Sequence, residues 1–358
     1  MIKSAAIALL ASFLLAGCAA IGPHNLSRDR FDYNIAVSDS WKEQTLLNIV
    51  KLRYADMPMF LQVTSIVSGY TLETEVALTG QVFNAGASPA SVALEGSGKY
   101  IDRPTITYAP ITGKEFNKNF MTPVPPRAVL FLMHAGWPAD IVLPLTLEVI
   151  NGLRARRSAG SRQRIGDEGY YRVVELFQTI QHAGALGVRI KKRKGEEDAT
   201  VLTLHRKNVP AEIVAAQYEL ADLLGIRPDA QEYTVVYAEV ARNDTEVAML
   251  TRSTMSIMLE LAGQVTVPPL HVAEGRTLPS LVDTDNAGDD ERKLIDIRSG
   301  EYKPEDAFVA VRYRDQWFWI EDRDFRSKRT FAYLMLLMSL TETSGGKESL
   351  PLVTIPAG

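Results

Sequence analysis

Few side chains in this sequence have the types and spacing that catalysis or metal binding requires. Five histidines are present, well separated along the chain: His24, His134, His182, His205 and His271. A zinc helix of the His-Glu-x-x-His type needs two histidines four residues apart, so the spacing excludes that motif. The sequence also lacks the Gly-x-Ser-x-Gly turn that presents a nucleophilic serine. The motifs therefore predict no catalytic residue, no metal site and no cofactor.

One group of carboxylates could serve a glycan hydrolase. Glu321, Asp322 and Asp324 follow a predicted strand near the C terminus. Cleavage of a glycosidic bond needs two carboxyl groups on facing elements at a defined separation. Asp322 or Asp324 is equally suited to cap the helix predicted after them. An enzyme that acts on glycans therefore stays an alternative.

A predicted hairpin carries the side chains best suited to recognition. Its strands are residues 307–313 and 316–320. Trp317 and Trp319 alternate along one strand and should share a face, and Arg312 and Arg314 should share a face of its partner. Exposed indoles stack on sugar rings or anchor protein partners. These four residues are our candidate interaction surface, and the alternative is that this face packs under the C-terminal helix.

Two basic stretches could contact anionic groups. Residues 154–164 hold five arginines, and residues 189–194 hold a cluster of arginines and lysines. Such side chains attract lipid headgroups or peptidoglycan carboxylates, although solvated hairpin ends also have this composition.

The N terminus has the features of an export signal. Lys3 is followed by an apolar stretch from Ala5 to Leu15, which is too short to span a membrane. The next residues complete the motif Leu15-Ala16-Gly17-Cys18. This segment resembles the lipobox of bacterial lipoprotein precursors. The resemblance implies a cleaved signal peptide at 1–17 and palmitate or related acyl chains on Cys18, the sole cysteine of the sequence.

The same resemblance predicts a location. In such lipoproteins an aspartate after the cysteine is the usual signal for retention at the inner membrane, and this chain has Ala19. We therefore expect anchoring at the periplasmic face of the cell outer membrane. The processed chain keeps 341 residues with a side-chain charge of −5. A mildly acidic exported protein is not expected to bind nucleic acid.

The pattern of helices and hairpins predicts an α+β fold with largely antiparallel sheets in two subdomains. We predict a lipidated tether at 18–38, an N-terminal α+β region at 39–153, and a C-terminal α+β region at 165–358 with a long loop at 268–292. Local signals predict a first helix from a capping box at Ser40, a turn at Ser68-Gly69 between two paired strands, and a helix from Glu246 to Ala262.

These observations favour an outer-membrane lipoprotein that serves as a non-catalytic accessory or assembly subunit of a cell-envelope complex. The expected partners are the membrane, through the N-terminal lipid, and an envelope protein. Two alternatives stay open. One is a lipid-anchored enzyme that acts on the cell wall or its glycans, and the other is a binding module for peptidoglycan or lipopolysaccharide.

Overall fold

A computed structural model describes residues 23–67, 70–80, 92–102, 105–158, 164–192, 199–206, 209–279 and 293–342. Cys18, the predicted lipidation site, lies outside them. The fold is α+β, with helices beside mostly antiparallel sheets, which confirms the predicted class. The described chain forms two compact units, one of residues 23–58 and 112–342 and one of residues 59–111. Within the described ranges, no helix has the length and apolarity needed to cross a membrane.

The elements follow one another in mixed order. The helices are α1 (Pro23–Arg53), α2 (Gly113–Phe116), α3 (Pro126–His134), α4 (Ala139–Thr146), α5 (Glu168–His182), α6 (Ala211–Leu224), α7 (Thr254–Ala262), α8 (Pro269–Ala273) and α9 (Phe325–Glu342), with a π-helical turn at Asn117–Met121. The strands are β1 (Leu61–Val67), β2 (Tyr70–Gly80), β3 (Val92–Asp102), β4 (Thr105–Pro110), β5 (Leu147–Ile150), β6 (Leu153–Arg154), β7 (Leu186–Lys191), β8 (Ala199–Leu204), β9 (Glu232–Val236), β10 (Glu246–Thr251), β11 (Arg298–Gly300), β12 (Ala307–Tyr313) and β13 (Gln316–Glu321).

The larger sheet of the first unit has the strand order β6-β5-β10-β9-β8-β7. Its neighbours are antiparallel except for β9 and β10, which run parallel. Helix α5 packs against α4 and α6. Its apolar residues recur at helical spacing and form one face, which lies in the core: Val173, Val174, Leu176, Phe177 and Ile180.

This sheet takes strands from both sides of the basic stretch at 154–164. Strands β5 and β6 come from the predicted region 39–153, and β7 to β10 come from the predicted region 165–358. Within the described part of this stretch, Arg156 and Ser158 are buried rather than solvated. The two predicted regions therefore contribute to one core.

The predicted start of the first helix was wrong. Helix α1 begins at Pro23, and Ser40 lies within it. No glycine or proline interrupts the sequence from residue 24 to residue 53, and Pro23 suits the first turn of a helix. Much of the predicted polar tether is therefore helical.

The helix predicted from Glu246 to Ala262 is divided in two. Residues Glu246–Thr251 form β10, which pairs with β5 and β9, and the helix proper is α7. Ser253 caps α7, since its side chain accepts a hydrogen bond of 3.2 Å from the Ser256 N–H. A continuous apolar run does not distinguish a buried strand from a buried helix, and the neighbouring strands decided this case.

A smaller sheet, of order β11-β13-β12, completes the first unit. The predicted hairpin of β12 and β13 is present, and Arg314 and Asp315 form its turn with φ values of 49° and 63°. The predicted loop at 268–292 contains the short helix α8, and its residues 280–292 lie outside the described ranges.

The second unit consists of paired strands, but not the predicted pairs. Strand β1 pairs with β4 and β2 pairs with β3, all antiparallel. The sequence instead predicted that β1 and β2 pair with each other through a turn at residues 68–69, which themselves lie outside the described ranges. The alternation of residue types shows that a segment is a strand, but it does not specify the partner.

Candidate functional site

The two tryptophans of the predicted interaction surface lie on one face of β13 and are partly buried. The Trp319 ring covers Gly300 of the neighbouring strand, because a Cβ atom at residue 300 would lie 3.2 Å from that ring. Lys303 Nζ lies 5.4 Å from the ring centroid of Trp317. Each indole therefore has part of its surface in contact with a neighbouring residue, Gly300 for Trp319 and Lys303 for Trp317.

The two arginines of that predicted surface are separated. Arg312 lies opposite Trp317 and forms an ion pair of 3.2 Å with Asp315. Arg314 lies in the turn, and its guanidinium carbon is 5.4 Å from the ring centroids of both Tyr54 and Tyr313. The expectation that Arg312 and Arg314 share a strand face was wrong, because the positive φ of Arg314 ends the strand alternation.

The predicted carboxylates are engaged in structural contacts. Glu321 pairs with Arg298 at 2.5 Å, and Asp322 pairs with Lys328 at 2.6 Å. Asp324 caps α9, accepting a hydrogen bond of 3.0 Å from the backbone N–H of Ser327. These contacts account for all three acids.

A cavity of about 610 Å³ opens beside the C-terminal end of α1. Its lining comes from α1 and the turn after it, from the segment that follows β6, from α7 and the residue after it, and from the segment after α8: Leu52, Arg53, Tyr54, Ala55, Asp56, Met57, Pro58, Ser158, Leu259, Ala262, Gly263, Gly275, Arg276, Thr277 and Leu278. Pockets of this size commonly bind ligands or side chains. The rim is apolar and accessible, with Met57 79%, Leu278 60% and Leu259 39% exposed.

The end of α1 builds one wall of this cavity through a Schellman motif. The N–H of Asp56 donates to the Lys51 carbonyl at 2.9 Å, and the N–H of Ala55 donates to the Leu52 carbonyl at 3.1 Å. Ala55 takes φ of 55° at the position where glycine is usual. A left-handed non-glycine residue costs about 1 kcal/mol. The motif turns the chain so that Asp56 follows the helix directly.

Tyr54 and His271 form a buried pair behind this wall. The Tyr54 hydroxyl lies 2.7 Å from His271 Nδ1, and the two ring centroids are 5.6 Å apart. The Tyr54 ring also contacts Tyr313 and Phe318 at centroid distances of 5.5 and 6.1 Å. These contacts join α1, α8 and the hairpin of β12 and β13 at one point.

A second polar contact lies at the solvent-exposed side of the same cluster. The Tyr313 hydroxyl donates to Asp56 Oδ2 at 2.6 Å, and Arg314 Nε donates to the Tyr313 oxygen at 3.2 Å. The Met57 N–H donates to Asp56 Oδ1 at 3.0 Å. The carboxylate is therefore fixed in place at the edge of the cavity.

The electrostatics of the cluster follow from burial and hydrogen bonding. Burial is the main reason that the pKa of Tyr54 is raised to about 12. Burial also lowers the pKa of His271, and the nearby Arg276 lowers it further. The Tyr313 hydrogen bond, followed by the Met57 N–H, lowers the pKa of Asp56. At neutral pH the cluster thus holds a neutral phenol, a neutral imidazole and an ionised carboxylate.

The wall of the cavity formed by the segment after α8 is connected to α1 by hydrogen bonds of Arg53. Its guanidinium donates to the carbonyl oxygens of Leu278 at 2.7 Å and Val265 at 3.3 Å. The Thr277 hydroxyl donates to the Arg53 carbonyl at 2.7 Å. The polar part of Arg53 is used in these bonds, so its stem and Leu278 present apolar surface to the cavity.

A buried carboxylate orders the segment that contributes Ser158. The backbone N–H of Ser158 donates to both carboxylate oxygens of Glu260, at 3.0 and 2.8 Å. Gln264 Nε2 donates to the same carboxylate at 3.3 Å, and Gln264 Oε1 accepts from the Leu294 N–H at 2.7 Å. This network connects the residue-158 segment to α7 and to the chain before β11.

The arrangement suits binding better than reaction. The wall is mainly apolar, and Asp56 offers one fixed negative charge at its edge. Among residues 23–342, in the ranges that the structure describes, no group of three or more His, Cys, Asp and Glu side chains is placed to hold a metal ion. No family model, curated protein or solved structure matches the chain.

Sequence reasoning missed this cavity. Tyr54 and His271 are 217 positions apart, and Asp56 and Tyr313 are 257 apart. None of them belongs to a motif. The nearest sequence signal was the mixture of apolar and charged residues just after a well-marked helix, which indicated only that α1 ends there.

Proposed function

We propose that this protein is a lipid-anchored, non-catalytic subunit of a complex in the bacterial cell envelope, and that its cavity receives an apolar segment of a protein partner. The observation that carries the proposal is the open apolar cavity with its accessible rim of Met57, Leu259 and Leu278. Methionine is unbranched and flexible, which suits a surface that adapts to a partner.

The location rests on the lipobox at residues 15–18 and on Ala19, which favour the periplasmic face of the outer membrane. The structure adds a spacing argument. Helix α1 begins five positions after Cys18 and has 31 residues. At about 1.5 Å per residue it is about 45 Å long. The cavity lies at its far end, so a lipid at Cys18 leaves the cavity free to meet a periplasmic partner.

The charges at the cavity indicate which side chains the partner segment should carry. The Tyr54 hydroxyl and the His271 imidazole are hydrogen-bonded to each other. Asp56 is the ionised group at the edge of the cavity. A partner segment with one or two large apolar side chains and a neighbouring lysine or arginine would satisfy both features. A charge-assisted contact with Asp56 adds specificity more than affinity.

Photo-crosslinking in intact cells tests this proposal. A photoreactive amino acid replaces Met57 in the full chain, and the matched control carries it at Val240, which is also exposed, at 64%. We expect Met57 to give one dominant heterologous product, with at least about a tenfold excess over Val240. Adding Leu278→Asp to the Met57 variant should remove that product, since a buried charge opposes apolar docking.

Equal labelling from both positions contradicts the cavity as a docking site. The alternative function, binding to peptidoglycan, has a separate test, which is sedimentation with purified sacculi. If the protein sediments and Trp317→Ala with Trp319→Ala abolishes this, while the Met57 position gives no product, the peptidoglycan-binding function replaces the one proposed.

A further inference from the structure

Arg314 places its charged group against two tyrosine rings, one of which lines the cavity. Its guanidinium carbon lies 5.4 Å from the ring centroids of both Tyr54 and Tyr313. Those two centroids are 5.5 Å apart. A cation within about 6 Å of an aromatic ring is attracted to the electron-rich face of that ring. The two rings therefore form a site that already contains a guanidinium, supplied by the chain itself.

Asp56 adds a negative charge beside this aromatic pair. The Tyr313 hydroxyl donates to Asp56 Oδ2 at 2.6 Å, and the Met57 N–H donates to Oδ1 at 3.0 Å. The Tyr313 hydrogen bond is the main reason that the pKa of Asp56 is lowered, and the charges of Lys51 and Arg314 lower it further. The carboxylate is therefore ionised at neutral pH, and two hydrogen bonds fix its position.

The charges of Asp56 and Arg314 are not used in ion pairs. Within the ranges that the structure describes, neither group has an oppositely charged partner within 4.0 Å. Arg314 Nε donates to the Tyr313 oxygen at 3.2 Å. Arg312, on the strand before the turn, is instead paired with Asp315 at 3.2 Å. Because Arg314 is solvent-exposed and has no ion pair to break, its guanidinium can leave the rings and become hydrated.

The groups that surround the Arg314 guanidinium favour a cation that carries N–H donors. They are the two ring faces, the Tyr313 oxygen and the Asp56 carboxylate, all of which are electron-rich. The Tyr313 O–H and the Met57 N–H already donate to Asp56. A lysine ammonium or an arginine guanidinium matches these acceptors. An anion could meet Arg314 only beside the fixed charge of Asp56, which would repel it.

The geometry of the hairpin turn does not explain the presence of Arg314. Arg314 and Asp315 are the two central residues of the turn, with φ values of 49° and 63°. The pair of Tyr313 and Gln316 closes it. Two-residue turns in which both φ values are positive favour Asn-Gly, because longer side chains are strained there. What the arginine adds at this position is the contact of its guanidinium with the rings.

We propose that the rings of Tyr54 and Tyr313, beside Asp56, bind a lysine or arginine side chain of the partner, and that Arg314 occupies this site until the partner arrives. The inference rests on the proposed function, because the apolar part of the same partner segment enters the cavity, which Tyr54 and Asp56 also line. Arg314 is then an internal competitor. A site that its own side chain fills for about 90% of the time binds a ligand about tenfold more weakly.

Three small probes of similar shape test the site in the full, lipidated chain. n-Butylguanidinium has the charge and the N–H groups of an arginine side chain. n-Butylurea has a similar shape without the charge, and pentanoate has the opposite charge. Such short alkyl chains partition little into the detergent that keeps a lipidated protein in solution. Ligand-observed NMR gives the dissociation constants for the wild type, Arg314→Asn and Arg312→Gln.

We expect Arg314→Asn to bind n-butylguanidinium at least about fivefold more tightly than the wild type does, with the affinity for n-butylurea unchanged. Asparagine readily adopts positive φ, so this variant keeps the turn. Arg312→Gln removes the same charge from the same hairpin but leaves the tyrosine rings occupied, so it should change the affinity by less than about twofold. Adding Asp56→Asn to Arg314→Asn should lower the affinity for the guanidinium to that for the urea.

Two results would exclude competition by Arg314. Equal guanidinium affinities of the wild type and Arg314→Asn, including no detectable binding to either, overturn the proposal. Equal gains from Arg314→Asn and Arg312→Gln also overturn it, because they show only a general effect of charge. Binding of pentanoate to the wild type that Arg314→Asn abolishes overturns it in favour of an anion site.

The photo-crosslink at Met57 separates this inference from the proposed function. A Met57 product together with no gain from Arg314→Asn overturns the cation site and leaves the cavity as a docking site. A gain in guanidinium binding without a Met57 product supports the cation site and contradicts the docking of a protein partner in the cavity.

Discussion

At the scale of single residues, the cavity depends on polar side chains that are satisfied inside the protein. The buried pair of Tyr54 and His271 is the clearest example, because either group alone would be a costly buried polar atom. Burial and the neighbouring Arg276 lower the pKa of His271 below that of the unfolded chain. The unfolded state therefore takes up a proton first when the pH falls.

This difference predicts a loss of stability in mild acid. Above about pH 6.5 the imidazole is neutral in both states, and as the pH falls below that value the free energy of unfolding decreases, by at most about 1.4 kcal/mol per pH unit. His271→Asn keeps a hydrogen-bonding group without the titration. We expect the wild-type protein to lose more stability than this variant between about pH 7.5 and about pH 5, measured by urea unfolding with tryptophan fluorescence.

In this pH range the titration of His271 is separated from that of Asp56. Asp56 has a lowered pKa, so its contribution to stability is lost only as the pH falls below its ordinary value near 3.8. Parallel pH profiles for the wild type and His271→Asn would show that His271 contributes no titration to folding.

At the scale of elements, the start of helix α9 shows which of two candidate residues acts as the helix cap. Helix α9 begins after Asp324, whose carboxylate accepts from the Ser327 N–H at 3.0 Å and from the Ser327 hydroxyl at 2.5 Å. The sequence offered Asp322 and Asp324 as equal candidates for the cap. Asp322 instead pairs with Lys328 at the surface.

These two aspartates provide a matched prediction. Asp324→Ala should lower the free energy of unfolding by about 1 kcal/mol, because an unsatisfied N–H group remains at the start of α9. Asp322→Ala should change it by less than about half of that, since an exposed ion pair contributes little. Urea unfolding monitored by tryptophan fluorescence measures both. Equal losses would show that Asp324 does not act as the cap.

At the scale of the whole molecule, α1 connects the predicted anchor to the cavity. Its N-terminal end follows Cys18 closely, and its C-terminal end provides Tyr54, Asp56 and Met57. The proposed membrane attachment and the proposed partner docking therefore involve opposite ends of one helix, so each can be tested by a variant that leaves the other unchanged.

Cys18→Ala tests the anchor. We expect this variant to incorporate no labelled palmitate and to move from the membrane fraction to the soluble fraction, because the thiol that carries the lipid is missing. Met57→Asp is the control and should stay lipidated and membrane-bound. Palmitate incorporation by Cys18→Ala would contradict the lipoprotein assignment.

The sequence by itself determined the features that local patterns encode. Its local patterns account for the buried face of α5, the hairpin around Arg314 and Asp315, and the mixture of elements that makes the fold α+β, and they include the segment around Cys18 that resembles a lipobox. Each of these depends on residues that are close in sequence, where helix and strand periods and turn preferences act directly.

Only the tertiary structure decided the partners of these elements and therefore the candidate site. The cavity requires α1, α7 and the segment after α8 to meet, and its polar cluster joins Tyr54 to His271 and Asp56 to Tyr313. The apolar segment at Glu246–Thr251 became a strand because β5 and β9 lie beside it. Contacts between distant residues arise from how elements pack, and the period of one segment carries no information about which surface will cover it.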